Sequence, residues 1–288
     1  MQTEVTKYYK IADICYKINF NNTENYAEDN LLCEYSTGSE EPTHTLDVFV
    51  TDVLPEPVGL QVFADNHKVV FINEDGSQMR FEGVLAKDAS SAYMCICRKE
   101  NLSLVYVKPQ AYSSKTLLKA MELEHFIADS DGVLFHSAFI EVEDKALLFT
   151  APSGVGKSTQ ADLWCREKDA DLINGDRCAV KIKEGRAFAF GVPYCGSSGV
   201  RKNRTLEIEA IVYLGRAKAP CVSQLSGVNA FMKIFEGICV NTWNSTDMEN
   251  CVKTVATIAE NTPVFMLECT PDRLSVVQLE KALKEMRT

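Results

Sequence analysis

The 288-residue sequence is short of positive charge, with 30 Lys and Arg against 40 Asp and Glu and a formal net charge of −10. Nucleic acid is gripped through its phosphates by a basic face, so neither DNA nor RNA is expected as a partner. No apolar run approaches the roughly 20 residues that span a bilayer, so no membrane partner is expected. Met1 to Asp13 lacks an apolar core behind a basic start, and no signal peptide is expected. No Asn-Lys-x-Asp segment occurs, which argues against a Ras-like guanine-nucleotide switch. The 11 cysteines are odd in number and follow no disulfide framework. Cys15, Cys178, Cys239 and Cys269 lie in apolar runs and read as small buried hydrophobes, a usage that suits a reducing cytoplasm. Cys95-Ile96-Cys97 would share one face of a strand, and with no further ligands nearby a structural role is favoured over a metal site.

What the sequence does contain is a strand–loop–helix signal. The apolar run Leu147-Leu148-Phe149-Thr150 is followed by Ala151-Pro152-Ser153-Gly154-Val155-Gly156-Lys157-Ser158-Thr159, and an amphipathic segment, Gln160 to Lys168, follows directly. The general phosphate-loop pattern is G-x-x-x-x-G-K-[ST]. Here Ala151 stands at the first glycine, while Gly154 and Gly156 keep the tight part of the turn permissive. In that context backbone N–H groups from Ser153 to Thr159 can wrap an anion at a helix N-terminus. Lys157 can reach β- and γ-phosphates, and the Ser158 hydroxyl can join the coordination shell of Mg²⁺. Nucleotide binding is preferred over a surface turn that happens to precede a lysine.

Along the chain, residues 1–112 read as a β-rich N-terminal domain. Lys7 to Ile18 alternates as one strand, Asn21 to Glu41 is a polar loop, Asp75-Gly76 joins a hairpin, and residues 91–98 and 102–107 form another strand pair. No catalytic constellation appears there; His44 and His67 are isolated. Residues 113–130 form a helical connection with Ser113 or Ser114 as its cap, and His125 reads as structural. Residues 131–288 alternate strands with helices, an α/β layer architecture. Asp171-Leu172-Ile173 is a short strand ending at Asn174-Gly175-Asp176, and an acidic residue at such a strand tip is placed for metal or nucleophile chemistry. Pro193-Tyr194-Cys195-Gly196-Ser197-Ser198-Gly199 leads into Arg201, Lys202 and Arg204, a local basicity suited to gripping phosphate or carboxylate.

Residues from about 131 to 288 resemble the C-terminal domain of the HPr kinase/phosphorylase family, whose fold is related to the phosphoenolpyruvate carboxykinases. The resemblance rests on an ordered set: His136 in the strand before the loop, where the family has His-Gly; Ser153 to Ser158, matching its phosphate loop; and Leu172 to Asp176, where the family has an apolar strand ending in paired aspartates. Ser137 replaces the family's glycine, and Gly175 leaves one aspartate of the pair, Asp176. Asn-Gly-Asp and Pro-Tyr-Cys-Gly-Ser-Ser-Gly mark a divergent branch, and residues 1–112 do not look like the N-terminal domain of the bifunctional HPr enzymes.

The resemblance implies an α/β P-loop kinase core, a mixed sheet with flanking helices, using ATP and Mg²⁺ in the cytoplasm. The γ-phosphate would pass to a serine-type hydroxyl of a small molecule, peptide or protein. Lys157 would hold the phosphates, and Ser158 the metal. Asp176 would either accept the acceptor's proton or join the metal shell. His136 would orient Asp176 or a phosphate, with a hydrogen-bonded core histidine as the equal alternative. Arg201 and Arg204 would meet transition-state charge or substrate. Family members are often oligomeric, so a homo-oligomer is a candidate state. Two other readings stay open: a nucleotide-gated binding module that transfers nothing, and a carboxykinase-like enzyme, which would need a second metal with its own His and Lys ligands in a chain holding four histidines.

Overall fold

The computed structural model describes residues 5–21 and 31–288; residues 22–30 of the loop expected over 21–41, and residues 1–4, lie outside the described residues. The chain divides into two compact units, Met1–Leu123 and Glu124–Thr288.

The first unit is a mixed sheet of eight strands, β1 (Val5–Ile11), β2 (Ile14–Asn21), β3 (His44–Val50), β4 (Leu60–Ala64), β5 (Lys68–Ile72), β6 (Gln78–Glu82), β7 (Met94–Lys99) and β8 (Leu102–Val107). Their order is β1-β2-β3-β8-β7-β6-β5-β4. β5 and β6 pair across Asp75-Gly76, with Gly76 at φ 78°, and β7 pairs with β8, both as the turn residues predict. Alternation does bring the Cys95 and Cys97 sulfurs to one face, 3.7 Å apart. His44 is buried against the Ser103 hydroxyl at 3.0 Å.

Two expectations in this unit are corrected. The single strand over 7–18 is a hairpin, β1 and β2, folded at Ala12-Asp13 with both residues in the left-handed region (φ 49° and 64°). The helical connection expected over 113–130 holds two helices, α1 (Ser114–Ala120) and α2 (Leu123–Ala128). Ser113 caps α1 as expected, its Oγ accepting from the Thr116 N–H at 3.3 Å. Between the helices Glu122 sits at φ 47° and is 1% exposed, its carboxylate paired with Arg80 at 3.3 Å and Arg98 at 3.2 Å. Continuing the helix through Glu122 would cost those two inward ion pairs, so the chain breaks there.

The second unit contains β9 (Gly132–Phe135), β10 (Ser137–Val142), β11 (Lys145–Thr150), α3 (Lys157–Lys168), β12 (Asp171–Asn174), β13 (Cys178–Lys183), β14 (Arg186–Gly191), β15 (Thr205–Arg216), β16 (Cys221–Leu225), α4 (Gly227–Phe235), β17 (Ile238–Cys239), α5 (Ser245–Asn261), β18 (Val264–Cys269) and α6 (Arg273–Arg287). The sheet runs β12-β10-β11-β15-β14-β13-β9-β17, with β18 on β15 and β16 on β18. β11 is apolar on both faces because both are covered. Leu148 enters the cluster with Ile234, Val255 and Ile258 from α4 and α5. Leu147 and Phe149 enter the opposite cluster with Trp164, Val276 and Leu279 from α3 and α6. A continuous apolar run is what a doubly covered strand requires. α5 is fastened to α2 by His125, whose Nδ1 lies 2.8 Å from Asp247 Oδ1. Among the described residues no helix is long and apolar enough to cross a membrane.

Replacing Glu122 by Ala leaves the Arg80 and Arg98 guanidinium groups buried without that carboxylate. We expect a loss of about 3 kcal/mol, the scale of breaking a buried ion pair from one side. It is read as a lower midpoint in urea unfolding followed by circular dichroism; an unchanged midpoint refutes the account of the helix break.

Candidate functional site

β10 is antiparallel to both of its neighbours, β11 and β12. β11 and β12 therefore run the same way, and the C-terminal ends of both lie beside the start of β10. Ser137 stands opposite Thr150, and Phe139 opposite Asn174, with an irregularity after Phe139. The strand expected to carry His136 before the loop is interrupted at that residue. β9 pairs with β13 and β17, β10 pairs with β11 and β12, and His136 is the corner residue between them. Its N–H donates to the Gly237 carbonyl at 2.7 Å, and its carbonyl accepts from the Thr150 hydroxyl at 3.0 Å.

The loop from Ala151 to Gly156 leaves the end of β11 and opens α3. Gly154 (φ 78°) and Gly156 (φ 132°) adopt backbone conformations that side-chain-bearing residues rarely reach, and a Cβ at either would meet nothing within 4 Å. Conformation rather than crowding selects glycine there. Gly156 is the N-cap of α3, and no side chain caps that helix, so its first N–H groups are left to face the loop's interior or a ligand. Ser153 and Gly154 are exposed, as are Ser158 and Thr159, while Val155 and Lys157 are half-buried. The Lys157 ammonium lies back across the loop and donates to the Ala151 carbonyl at 3.0 Å. Burial lowers its pKa, and the Asp176 carboxylate works the other way.

Asp176 lies at the end of the neighbouring same-direction strand. Its Oδ1 is 3.6 Å from His136 Nδ1 and its Oδ2 is 3.4 Å from Arg177 Nε. The Ser137 N–H donates to the Asp176 carbonyl at 3.1 Å, tying the turn to the start of β10. His136 is pushed below the ordinary histidine pKa of 6.5, first by burial and then by the Lys157 charge, with Asp176 opposing. Three sequence-predicted residues, His136, Lys157 and Asp176, are thus brought within electrostatic reach of one another. The electrostatics favours a neutral imidazole between an ammonium and a carboxylate.

The turn carrying Asp176 is held by Asn174, which is fully buried. Its Oδ1 accepts from the Asp176 and Arg177 N–H groups at 2.9 and 3.1 Å. Its Nδ2 donates to the carbonyls of Val192 and Tyr194 at 3.0 and 2.6 Å. One amide side chain therefore fixes the Asp176 turn and draws the 192–199 loop over it. That loop comes so close that a Cβ at Gly196 would lie 3.3 Å from Asp176 Cβ, and one at Gly175 would meet Ser198 Oγ at 2.6 Å. The space for a side chain at 175 is filled by Ser198.

The three cations expected to serve this loop separate. Arg201 stays beside it: its backbone bridges Asn174, and its guanidinium donates to the Gly199 carbonyl at 3.2 Å. Arg204 does not. Its Nε and Nη2 reach the two Glu141 oxygens at 3.0 and 2.6 Å, and Glu141 pairs with Ala146 and Asp171 at the far end of β10. A bidentate pair with a carboxylate neutralises the guanidinium, so the expected role for Arg204 at the phosphate loop is withdrawn. Lys202 is likewise taken up by Asp171, at 2.5 Å. The cation that does face Asp176 is Arg177, which sequence reasoning passed over; its guanidinium stacks on the Tyr194 ring at 4.7 Å. The available signal was a charged residue wedged between an acid and the buried run Cys178-Ala179-Val180.

No protein-family model matches the chain, and no curated protein matches it in sequence. Among solved structures it is similar to the Hpr(Ser) kinase/phosphatase from Coxiella burnetii, at 11% identity over 54% of this chain and 99% of that one, with a TM-score of 0.34. At that TM-score the likeness says nothing of chemistry, and the functional reading rests on the geometry described above.

Asn174→Ala removes an acceptor from two N–H groups and a donor from two carbonyls. We expect a loss of at least about 2 kcal/mol, the scale of leaving buried polar groups unsatisfied. Urea unfolding measures it; a loss below about 0.5 kcal/mol, the size of an ordinary surface change, refutes the clamp.

Proposed function

We propose that the second unit binds ATP with Mg²⁺ on the 151–159 loop and transfers the terminal phosphate to an acceptor hydroxyl. The observation that carries the reading is the Asp176 carboxylate, 3.6 Å from His136, at the same edge to which β11 delivers the 151–156 loop and Lys157. The serine-type acceptor, on a small molecule, peptide or protein, is the part of the reading that the family resemblance suggests.

The loop amides and Lys157 hold the β- and γ-phosphates. Lys157 must leave the Ala151 carbonyl to do so, an exchange of one oxygen partner for a charged one, which makes the stronger hydrogen bond. Asp176 accepts the proton of the acceptor hydroxyl as that oxygen forms its bond to phosphorus and the bond to the β-phosphate oxygen breaks, leaving ADP. His136 beside it orients the carboxylate. Arg177, from the other carboxylate oxygen, and Arg201, in the covering loop, supply positive charge near the transferring group. Among the described residues no three His, Cys, Asp or Glu side chains gather as a metal cage. Mg²⁺ bound with a nucleotide needs none, because it takes one or two protein oxygens beside phosphates and water; the Ser158 hydroxyl would meet that demand. The ion, when bound, neutralises charge on the phosphates.

Lys157→Ala is expected to abolish ATP binding in calorimetry. Asp176→Asn is expected to keep ATP affinity within a few-fold while transfer falls at least about 100-fold, the scale of losing a general base. Mass spectrometry of serine-containing small molecules, peptides and cell extract after incubation with ATP and Mg²⁺ identifies the acceptor. Wild-type transfer rates in Asp176→Asn would remove that residue from the mechanism. Tight ATP binding by the wild type, with no turnover against any acceptor, would replace the kinase by a nucleotide-gated binding module.

The His136 pKa lies below 6.5 in the folded chain. Protonation would set a further positive charge against Asp176 and tie up the proton acceptor. Transfer is therefore expected to hold down to pH 6.5 and to fall below it, and this acid limb is expected to shift in His136→Gln. The same sign applies to stability. The unfolded chain takes the proton first, so the fold loses stability as pH falls from 6.5 through the lower folded value. A pH–rate profile identical in the wild type and His136→Gln refutes the role of the imidazole.

A further inference from the structure

The first unit holds a pair of thiols whose chemistry does not depend on phosphate transfer by the second. None of the 11 cysteines is bridged. Cys95 and Cys97 are two residues apart in β7, so alternation puts both on one face, and their sulfurs lie 3.7 Å apart in a hydrogen bond. Register fixes their surroundings: Phe81 and Met79 of β6 stand opposite them on one side, Tyr106 and Leu104 of β8 on the other. The two thiols differ in access. Cys95 is fully buried in a core cluster with Val69, Phe81 and Val84, whereas Cys97 packs against that cluster and is only half-buried. The hydrogen bond sets them apart electrically as well. Cys97 is drawn below the ordinary thiol pKa by its hydrogen bond with Cys95, and Cys95 is pushed up by the same bond and by burial. The accessible sulfur thus has the greater thiolate character, and the thiolate is the nucleophile.

We propose that Cys95 and Cys97 form a reversible redox couple that exchanges with a small-molecule disulfide. Among the described residues no three His, Cys, Asp or Glu side chains gather as a metal cage, and two sulfurs alone are half the ligand set of a structural zinc. The backbone permits a bridge instead. Cα atoms at i and i+2 of a strand are about 6.6 Å apart, twice the rise per residue, and disulfides form over roughly 4.4–6.8 Å. That is the wide end of the range, where a bridge is readily reduced again. The Cys97 thiolate attacks one sulfur of the disulfide RSSR, forms a mixed disulfide and expels RS⁻. Cys95 gives its proton to that thiolate, attacks the Cys97 sulfur and expels the second RS⁻, which takes up the proton that Cys97 had released to water. The two protein thiols lose two electrons, and RSSR is reduced to two RSH. Access fixes the order: Cys97 meets the disulfide, and the buried Cys95 beside it resolves the mixed disulfide, the arrangement of reversible thiol sensors.

The test uses the full chain in native buffer with glutathione disulfide, at a concentration that modifies the exposed thiols Cys33 and Cys221. After the remaining thiols are blocked with N-ethylmaleimide, trypsin releases Asp88–Arg98, which contains Cys95 and Cys97 and no other cysteine. By mass spectrometry this wild-type peptide is expected to be lighter by two hydrogen atoms and to carry no glutathione, while the Cys33 and Cys221 peptides each gain a glutathionyl group. Dithiothreitol before the blocking step is expected to restore both thiols. Cys95→Ser lacks the resolving thiol and is expected to retain a glutathionyl group on Cys97; Cys97→Ser is expected to leave Cys95 unmodified. A wild-type Asp88–Arg98 peptide with both thiols blocked by maleimide would overturn the couple. So would a wild-type peptide that keeps glutathione on Cys97 without closing the bridge. Glutathione on Cys95 in Cys97→Ser would overturn the assigned order of attack.

Discussion

Everything at the site depends on a constraint of direction. β11 turns back from β10 through the tight turn at Glu143-Asp144, both in the left-handed region. The chain then leaves β11 through α3, passes β10, and returns as β12 on its far side. Because β12 runs with β11 and against β10, the end of one apolar strand delivers a small-residue loop and the end of the other delivers a carboxylate, both to the same edge. Had the chain returned antiparallel to β11, Asp176 would stand a strand length away, roughly 13 Å for a four-residue strand. Ligand sites in open α/β sheets form outside the C-terminal ends of parallel strands for this reason.

Direction brings the groups to one edge; hydrogen bonds set their distances. Asn174 satisfies two N–H groups on its own turn and two carbonyls of the 192–194 segment, so an otherwise free loop becomes the roof of the Asp176 turn. The buried Asn174 amide makes all four of these contacts, and a satisfied polar network rigidifies its surroundings. The roof descends until Ser198 occupies the space beside Gly175. Asp176 is flanked by Arg177 on one oxygen and His136 on the other. The carboxylate is oriented by partners of its own chain.

The sequence makes legible what short-range physics determines. The apolar run into Gly154-Val155-Gly156-Lys157, the helix behind it and the strand ending at Asp176 all follow from period, glycine and charge over a dozen residues, and the structure has them in those places. The breaks were not legible. Ala12-Asp13 turns a hairpin without glycine or asparagine, so alternation reads straight through it. Glu122 stops a helix of sound periodicity because Arg80 and Arg98, some 24 to 42 residues earlier, draw its carboxylate inward. His136 divides one apolar run between two sets of strand partners. Each of these is decided by partners distant in sequence. Arg204 shows the same limit at the site: three cations in four residues read as one patch, yet Glu141 and Asp171 take two of them to the opposite end of the sheet.

Local charge in a sequence therefore says less than the strand that carries it. Arg177, adjacent to Asp176, is fixed beside the carboxylate because β13 begins at Cys178 and must enter the core at once. The guanidinium cannot follow and lies on Tyr194 instead. An arginine stacked on an aromatic face has already lost much of its rotamer freedom, so meeting an incoming anion costs little further ordering. Lys157 is placed by the same economy of motion: its ammonium rests on a carbonyl of the loop that it would serve, and burial already lowers its pKa. A cation partly stripped of water gains more from a phosphate than one fully hydrated, because the desolvation has been met in folding. The edge where β10, β11 and β12 end thus carries positive charge from two sides with one carboxylate between them, the arrangement on which the proposed transfer would draw.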